Sequence, residues 1–331
     1  MSQSTTVPGV ATQSTNVRHS LVEAGARGAF RLLGGRAPEL AAALADRLFC
    51  TPPSSRPSAR VEAVLAGAAR RDREIDGVRL ATWRWGKGPL VMLVHGWGGV
   101  GGQLGAFIEP LVARGFSVLC FDAPGHGRSA GSRSSLVEFA RALAGLAEAE
   151  GPLHALIAHS LGAAATSFAL KAGVRTRRAV FIGAPLDPGA WTDAFAERLG
   201  VPSPVMQRMR ARVEARLGVR WPELRALEGA ASQTTPLLLI HDEDDAEVSV
   251  EDSRALAEAW PGARFVATAG LGHRRILRDA AVVAEAVGFA AAGAQPRRGP
   301  AEILEAELFD RELRRRRRGP RPLELAASRA R

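Results

Sequence analysis

From about residue 75 the chain alternates between short runs that are apolar throughout and longer stretches whose apolar positions recur every three or four residues. Runs such as LVMLV at 90–94 and FSVLCF at 116–121 suit strands buried on both faces of a parallel sheet. Strands are expected at Val78 to Trp85, Leu90 to His95, Phe116 to Phe121, Leu153 to His159, Ala179 to Ile182, Leu237 to His241 and Arg264 to Ala267. Helical spacing covers Gln103 to Ala113, Leu136 to Ala149, Leu161 to Lys171, Glu251 to Trp260 and Ile276 to Phe289. The pattern predicts an α/β domain with a doubly wound, mostly parallel sheet.

The alternation fails in one place. Pro185 to Pro236 has no convincing strand but carries helical pieces at Trp191 to Leu199 and Val205 to Leu217, so a lid insertion is expected over about 186–235. Its Trp191, Phe195, Leu199, Met206 and Met209 are candidates either to shape an apolar pocket or to pack the lid on the core. Residues 17–49 read as two short amphipathic helices broken at Gly34-Gly35, with Pro38 suited to the first turn of the second. The Pro/Ser-rich stretch 51–60 reads as a linker. The expected organisation is a polar tail, helical arm and linker over 1–60, a catalytic domain over 61–292, and an Arg-rich tail over 293–331.

Composition narrows the function classes. A 331-residue chain that is 46% hydrophobic can bury a large core. Two cysteines, Cys50 and Cys120, make no disulfide framework and no metal-binding spacing, which points to a reducing, cytoplasmic compartment. No run reaches the ~18 apolar residues of a membrane span, and the first 20 residues lack the pattern of a secretory signal. Of the net charge of +10, the tail from Arg297 carries +5, with eleven Arg against six acids. Half the excess therefore lies outside the catalytic region, and no nucleic-acid partner is expected. Ala301 to Arg318 reads as a solvated helix with acids early and Arg late, as the helix dipole favours; contact with an anionic surface is the alternative.

Two readings compete for the glycine-rich segment after the second expected strand. Gly96, Gly98 and Gly101 satisfy G-x-G-x-x-G, and Asp122 ends the next strand about 20 residues on, as in a dinucleotide site. That reading gives no reason for His95 before the glycines or for PGHGRS after Asp122. Further on, a strand runs into Ala158-His159-Ser160-Leu161-Gly162 and then an Ala-rich helix. Strand, sharp turn with a central Ser, and helix form a nucleophile elbow, and its tight turn demands small residues two before and two after the Ser.

With these motifs in view, residues from about Val78 to Phe289 resemble the α/β-hydrolase superfamily. The resemblance rests on LVHGWGG at 93–99, DAPGHGRS at 122–129, AHSLG at 158–162, HDEDDAEV at 241–248 and GLGH at 270–273, in that order, each at the end of an expected strand. It implies Ser160 as nucleophile, His273 as base, and Asp245 as the acid, because Val248 falls three residues after it as in G-x-x-D-x-x-V. It also implies the backbone N–H groups of Trp97 and Leu161 as oxyanion donors. The order Ser, acid, His is the one this fold uses. The remaining histidines receive other readings: His19 and His154 structural or exposed, His126 a loop brace, His95 and His159 architectural, His241 a packing residue.

The expected activity is hydrolysis of a carboxylic ester or thioester through an acyl-enzyme, acting on a small acyl substrate without metal or organic cofactor. The alternatives are a non-catalytic binding module on the same fold and, more remotely, a nicotinamide-dependent oxidoreductase.

Overall fold

The computed structural model describes residues 10–53 and 57–293. The expected tail helix at 301–318 lies outside the described residues. An eight-stranded sheet forms the centre: β1 (Ala69–Ile75), β2 (Val78–Trp85), β3 (Leu90–Val94), β4 (Ser117–Phe121), β5 (Leu153–His159), β6 (Thr176–Ile182), β7 (Leu237–Asp242) and β8 (Arg264–Thr268). The spatial order is β1-β2-β4-β3-β5-β6-β7-β8. β1, β2 and β4 pair antiparallel, and from β4 through β8 every pairing is parallel.

Period-2 burial explains why the strands read as apolar throughout. Leu90, Met92 and Val94 of β3 enter one core with Leu156 and Ala158 of β5, whereas Val91 and Leu93 enter the opposite core with Ala155 and Ile157. The first face is covered by α5 (Leu136–Glu150) and α6 (Leu161–Lys171), which contribute Phe139, Leu143 and Ala165. The second is covered by α4 (Ile108–Ala113) and α11 (Ala280–Ala291), with Leu111, Val283 and Val287. The chain is thus doubly wound, as the alternation predicts.

The sequence pattern does not announce β1. Its residues ARRDREI alternate nothing apolar until the end, yet it pairs along the whole of β2. Asp76 and Gly77, both at positive φ, close the two-residue turn between them. A charged outer strand leaves the sheet edge unattractive to other strands. Helix α3 (Ala59–Ala66), capped by Ser58, also forms where a linker and then unassigned chain are expected.

The expected break at Gly34-Gly35 does not occur: α1 (Val10–Arg36) runs through both glycines, and the kink falls at Ala37, before α2 (Pro38–Phe49). The physical reason is the proline, since Pro38 disfavours helical geometry in the residue preceding it, and Ala37 has φ −145° and ψ 66°. Gly34 serves close approach instead: a Cβ there would stand 3.0 Å from Pro202 Cγ.

Between β6 and β7 lie α7 (Pro188–Leu199) and α8 (Ser203–Leu217), followed by two short 3-10 turns. The small face Ala41, Ala42 and Ala45 of α2 packs on α8, where Met206, Met209 and Val213 are buried. Met206 and Met209 are therefore buried in the packing of α8. Phe49 meets Phe195 edge-on at 5.4 Å, and buried Asp46 binds Arg133 of the core and Arg216 of α8 at 2.5 and 3.2 Å. After β7 come α9 (Val250–Ala259) and, beyond β8, the single turn α10 (Gly272–Arg275). Among the described residues no helix is long and apolar enough to cross a membrane.

Candidate active site

The carboxyl ends of the parallel strands carry the candidate residues, where an open α/β sheet presents its crevice. Ser160 follows β5 directly and caps α6, with φ 52° and ψ −124°. Among the described residues Asp76 is the other non-glycine residue at positive φ, and a hairpin turn accounts for it. Ser160 has no such local excuse, so the surrounding packing must hold its backbone in this sparsely populated region. Its N–H donates to Ile182 O at 2.9 Å, which anchors the turn to β6. Ala158 is fully buried, and a Cβ on Gly162 would stand 2.4 Å from His95 O. Small residues at both positions are therefore a steric requirement.

The loop after β3 is held by its own neighbours. Gly99 N donates to Gly96 O, Gly98 N to His126 Nε2 and Gly101 N to Asp122 Oδ1. These amides are consumed within the loop, and the Asp122 carboxylate is buried against Gly101 N and Arg128 N, both at 2.7 Å. Nothing in this arrangement presents a phosphate cradle or a ribose-binding acid. Burial pushes the Asp122 carboxyl up, and the two backbone N–H groups only partly offset it.

His95 and His126 hold the same loop. His95 Nε2 accepts from Ala123 N at 3.0 Å while Nδ1 faces Gly96 O, and His126 Nδ1 faces Pro124 O while Nε2 accepts from Gly98 N. Each ring thus has one donor and one acceptor nitrogen, the neutral form, and burial pushes both down to about 4. Trp97 leans on His126 with ring centroids 5.2 Å apart. Gly96 lies against the elbow, since a Cβ on it would be 3.0 Å from Ser160 Cβ. Neither Trp97 N nor Leu161 N has an internal hydrogen-bond acceptor among the described residues.

The four consecutive acids after His241 separate cleanly in space. Asp242, fully buried at the end of β7, accepts from Thr268 Oγ1, Leu271 N, Gly272 N and Asp244 N, and so braces the loop that leads to His273. Glu243 pairs with Arg254 at 3.0 Å, and Asp244 accepts from Gly270 N at 2.7 Å. Asp245 alone among the four reaches His273: its Oδ2 lies 2.6 Å from His273 Nδ1, and its Oδ1 accepts from Glu247 N and Val248 N. Burial raises the Asp245 carboxyl, but hydrogen bonds from His241, His273 and the Val248 and Glu247 amides outweigh it and hold the group well below the usual carboxylate range.

His273 is joined to the elbow through His159, whose Nε2 donates to His273 O at 2.9 Å and whose ring lies 4.6 Å from the His273 ring. Burial, and then the nearby His273, push His159 down to about 3. Gly183, at φ 59°, closes the other side; a Cβ there would meet the His273 ring at 3.2 Å. Ser160 is 7% exposed and His273 8%. Among the described residues no hydrogen bond joins Ser160 Oγ to His273; such contacts in unliganded sites often tighten only when substrate is bound. Among the same residues, no group of three or more His, Cys, Asp or Glu could hold a metal ion.

A profile described as the alpha/beta hydrolase family matches residues 91–286. The chain belongs to the alpha/beta hydrolase family. No curated protein matches it. Among solved structures, the hydrolase fold resembles an esterase from Exiguobacterium antarcticum at 14% identity, with TM-score 0.53 over 67% of this chain and 99% of that one. A Pyrococcus furiosus esterase gives 20% identity and TM-score 0.54 over 72% and 96%. The thioesterase domain from the curacin biosynthetic pathway gives 18% and 0.52 over 68% and 99%. At such identities the likeness concerns the fold. What sequence reasoning misses is the bracing by Asp242, whose partners Thr268, Leu271 and Gly272 lie 26 to 30 residues away, and the contact of Asp245 with His241, whose ring is set by Ser253 12 residues on; no local motif spells out either.

Proposed function

We propose that this alpha/beta hydrolase is a serine hydrolase that cleaves a carboxylic ester or thioester through an acyl-enzyme on Ser160. The observation that carries the reading is the backbone of Ser160, held at positive φ on a strand-to-helix turn with no local turn chemistry to require it. In the proposed mechanism Asp245 accepts the Nδ1–H of His273, which leaves Nε2 unprotonated to take the Ser160 proton. The Ser160 oxygen then bonds to the acyl carbon, and the resulting oxyanion receives the Trp97 and Leu161 N–H groups. As the tetrahedral centre collapses, the bond to the leaving alcohol or thiol breaks and His273 returns the proton to it. Water repeats the sequence on the acyl-enzyme and frees the acid.

This chemistry needs neither metal nor organic cofactor. The structural neighbours include esterases and a thioesterase domain, which supports both leaving-group classes and favours neither. Cys50 and Cys120 are both free, and we place the enzyme in the cytoplasm. A panel of nitrophenyl esters and acyl thioesters graded by chain length tests the reading, with Ser160→Ala as control. Turnover lost in Ser160→Ala supports it. A folded protein that turns over no member of the panel favours the non-catalytic binding module instead.

A further inference from the structure

His241 lies at the end of β7, fully buried, one residue before the bracing Asp242. Its ring spans two elements. Nδ1 sits 2.7 Å from Ser253 Oγ, on the first turns of α9. Nε2 sits 3.1 Å from Val248 O and 3.2 Å from Asp245 Oδ2, the oxygen that His273 Nδ1 reaches at 2.6 Å. Both neighbours of Nε2 are acceptors, so Nε2 carries a hydrogen. A packing residue of the same shape would need neither nitrogen.

We infer that His241 is a positioning residue of the proposed acyl-transfer site, donating a second ring N–H to the carboxylate oxygen of Asp245 that receives His273. The inference rests on the reading of Ser160, Asp245 and His273 given above. Two backbone N–H groups on Oδ1 and two ring N–H groups on Oδ2 leave the carboxylate no freedom to rotate, and Ser253 sets the plane of the His241 ring. The second donor also draws charge from Oδ2. Asp245 is then a weaker partner for the His273 imidazolium than a singly bonded carboxylate would be.

Other charged groups around the pair bear on the same titration. His159 lies against His273, its ring tilted to it, from the end of β5, and Asp242 holds Gly272 N from β7. Asp244 holds Gly270 N, while Glu247 faces Arg274 of α10 at 3.0 Å and Arg254 of α9 is engaged by Glu243. None of these contacts involves the His241 ring, so a shift on changing it is expected to report His241 itself.

The test is the pH dependence of kcat and kcat/KM for full-length wild type, His241→Leu and His241→Gln on one soluble nitrophenyl ester, with melting curves for each. His241→Leu removes the donor. The acidic limb of kcat/KM, which reports the free base, is expected to move up by about half to one pH unit. The kcat plateau is expected to fall roughly tenfold, as for one hydrogen bond to a charged group, with KM unchanged because the residue is sealed from solvent. The Gln amide can place an N–H near the Nε2 position and should restore the limb. A folded His241→Leu enzyme with a wild-type limb and plateau overturns the inference.

Should His241→Leu not fold, ring 15N NMR of the wild-type protein decides. A hydrogen on His241 Nε2 that is perturbed by Asp245→Asn supports the inference, and a ring bare at Nε2 overturns it. Failure of the parent reading looks different: a fluorophosphonate then fails to label Ser160 in the wild type, whatever the His241 variants do.

Discussion

Replacing Asp245 with Asn places an NH2 group in a pocket whose every neighbour is a donor. Oδ1 faces Glu247 N and Val248 N at 2.8 and 3.0 Å, so the amide oxygen settles there. The NH2 then occupies the Oδ2 position, 2.6 Å from His273 Nδ1. Two donors cannot share that gap. His273 relieves the conflict by moving its hydrogen to Nε2, the nitrogen that must take the Ser160 proton. The geometry survives while the tautomer is wrong, and such a change costs roughly 10³- to 10⁴-fold in kcat, or about 4 to 5 kcal/mol of barrier. Asp244→Asn is the control. Asp244 is exposed and accepts one bond, from Gly270 N, which the Asn oxygen can still accept; its cost is expected to be about 1 kcal/mol or less. Initial rates on a nitrophenyl ester at saturating substrate, with melting curves to show that both variants fold, make the comparison. A crippled Asp244→Asn beside a nearly wild-type Asp245→Asn would refute the reasoning.

Further outcomes follow from the same contacts. Asp242→Asn leaves at least one buried donor facing donors, so it should lower stability by about 1 to 3 kcal/mol and activity with it, read by denaturant melts and ester turnover. Gly162→Ala forces a Cβ to within 2.4 Å of His95 O and should cost at least the ~1 to 3 kcal/mol of an overpacked core, with loss of turnover; a stable, active variant would mean that the elbow is looser than described. For pH, His95, His126 and His159 lie at about 4, 4 and 3 in the folded chain against ~6.5 when unfolded. Unfolding therefore takes up protons as pH falls below ~6.5, and stability declines down to the folded values by up to about 1.4 kcal/mol per pH unit for each ring. Denaturant midpoints at pH 7, 6 and 5 should fall in that order, and a flat series would contradict neutral rings.

The pattern of the sequence carries the sheet from β2 to β8 because those strands are buried on one or both faces and their residue choice is dictated by the core. It fails at β1, an edge strand whose charges are selected by solvent and by the need not to pair. It misplaces the end of α1 because a glycine pair looks like a stop, whereas Gly34 serves the approach of Pro202 and the proline after Ala37 makes the break. In the site, Ser160 and its small neighbours are legible because one tight turn specifies all of them. Choosing among the acids at 242–245 by the spacing to Val248 uses a local regularity, and the structure places Asp245, among the four, against His273. The work of Asp242 and His241 was not legible, since both depend on loops and helices that meet only when β7, β8 and α9 assemble.

The central claim is that Ser160 is the nucleophile. Reaction of the full-length protein with a fluorophosphonate, followed by peptide mapping, measures it directly. A single adduct on Ser160, absent from Ser160→Ala together with all ester turnover, is the predicted result. An adduct on another residue, or undiminished hydrolysis by Ser160→Ala, would contradict it.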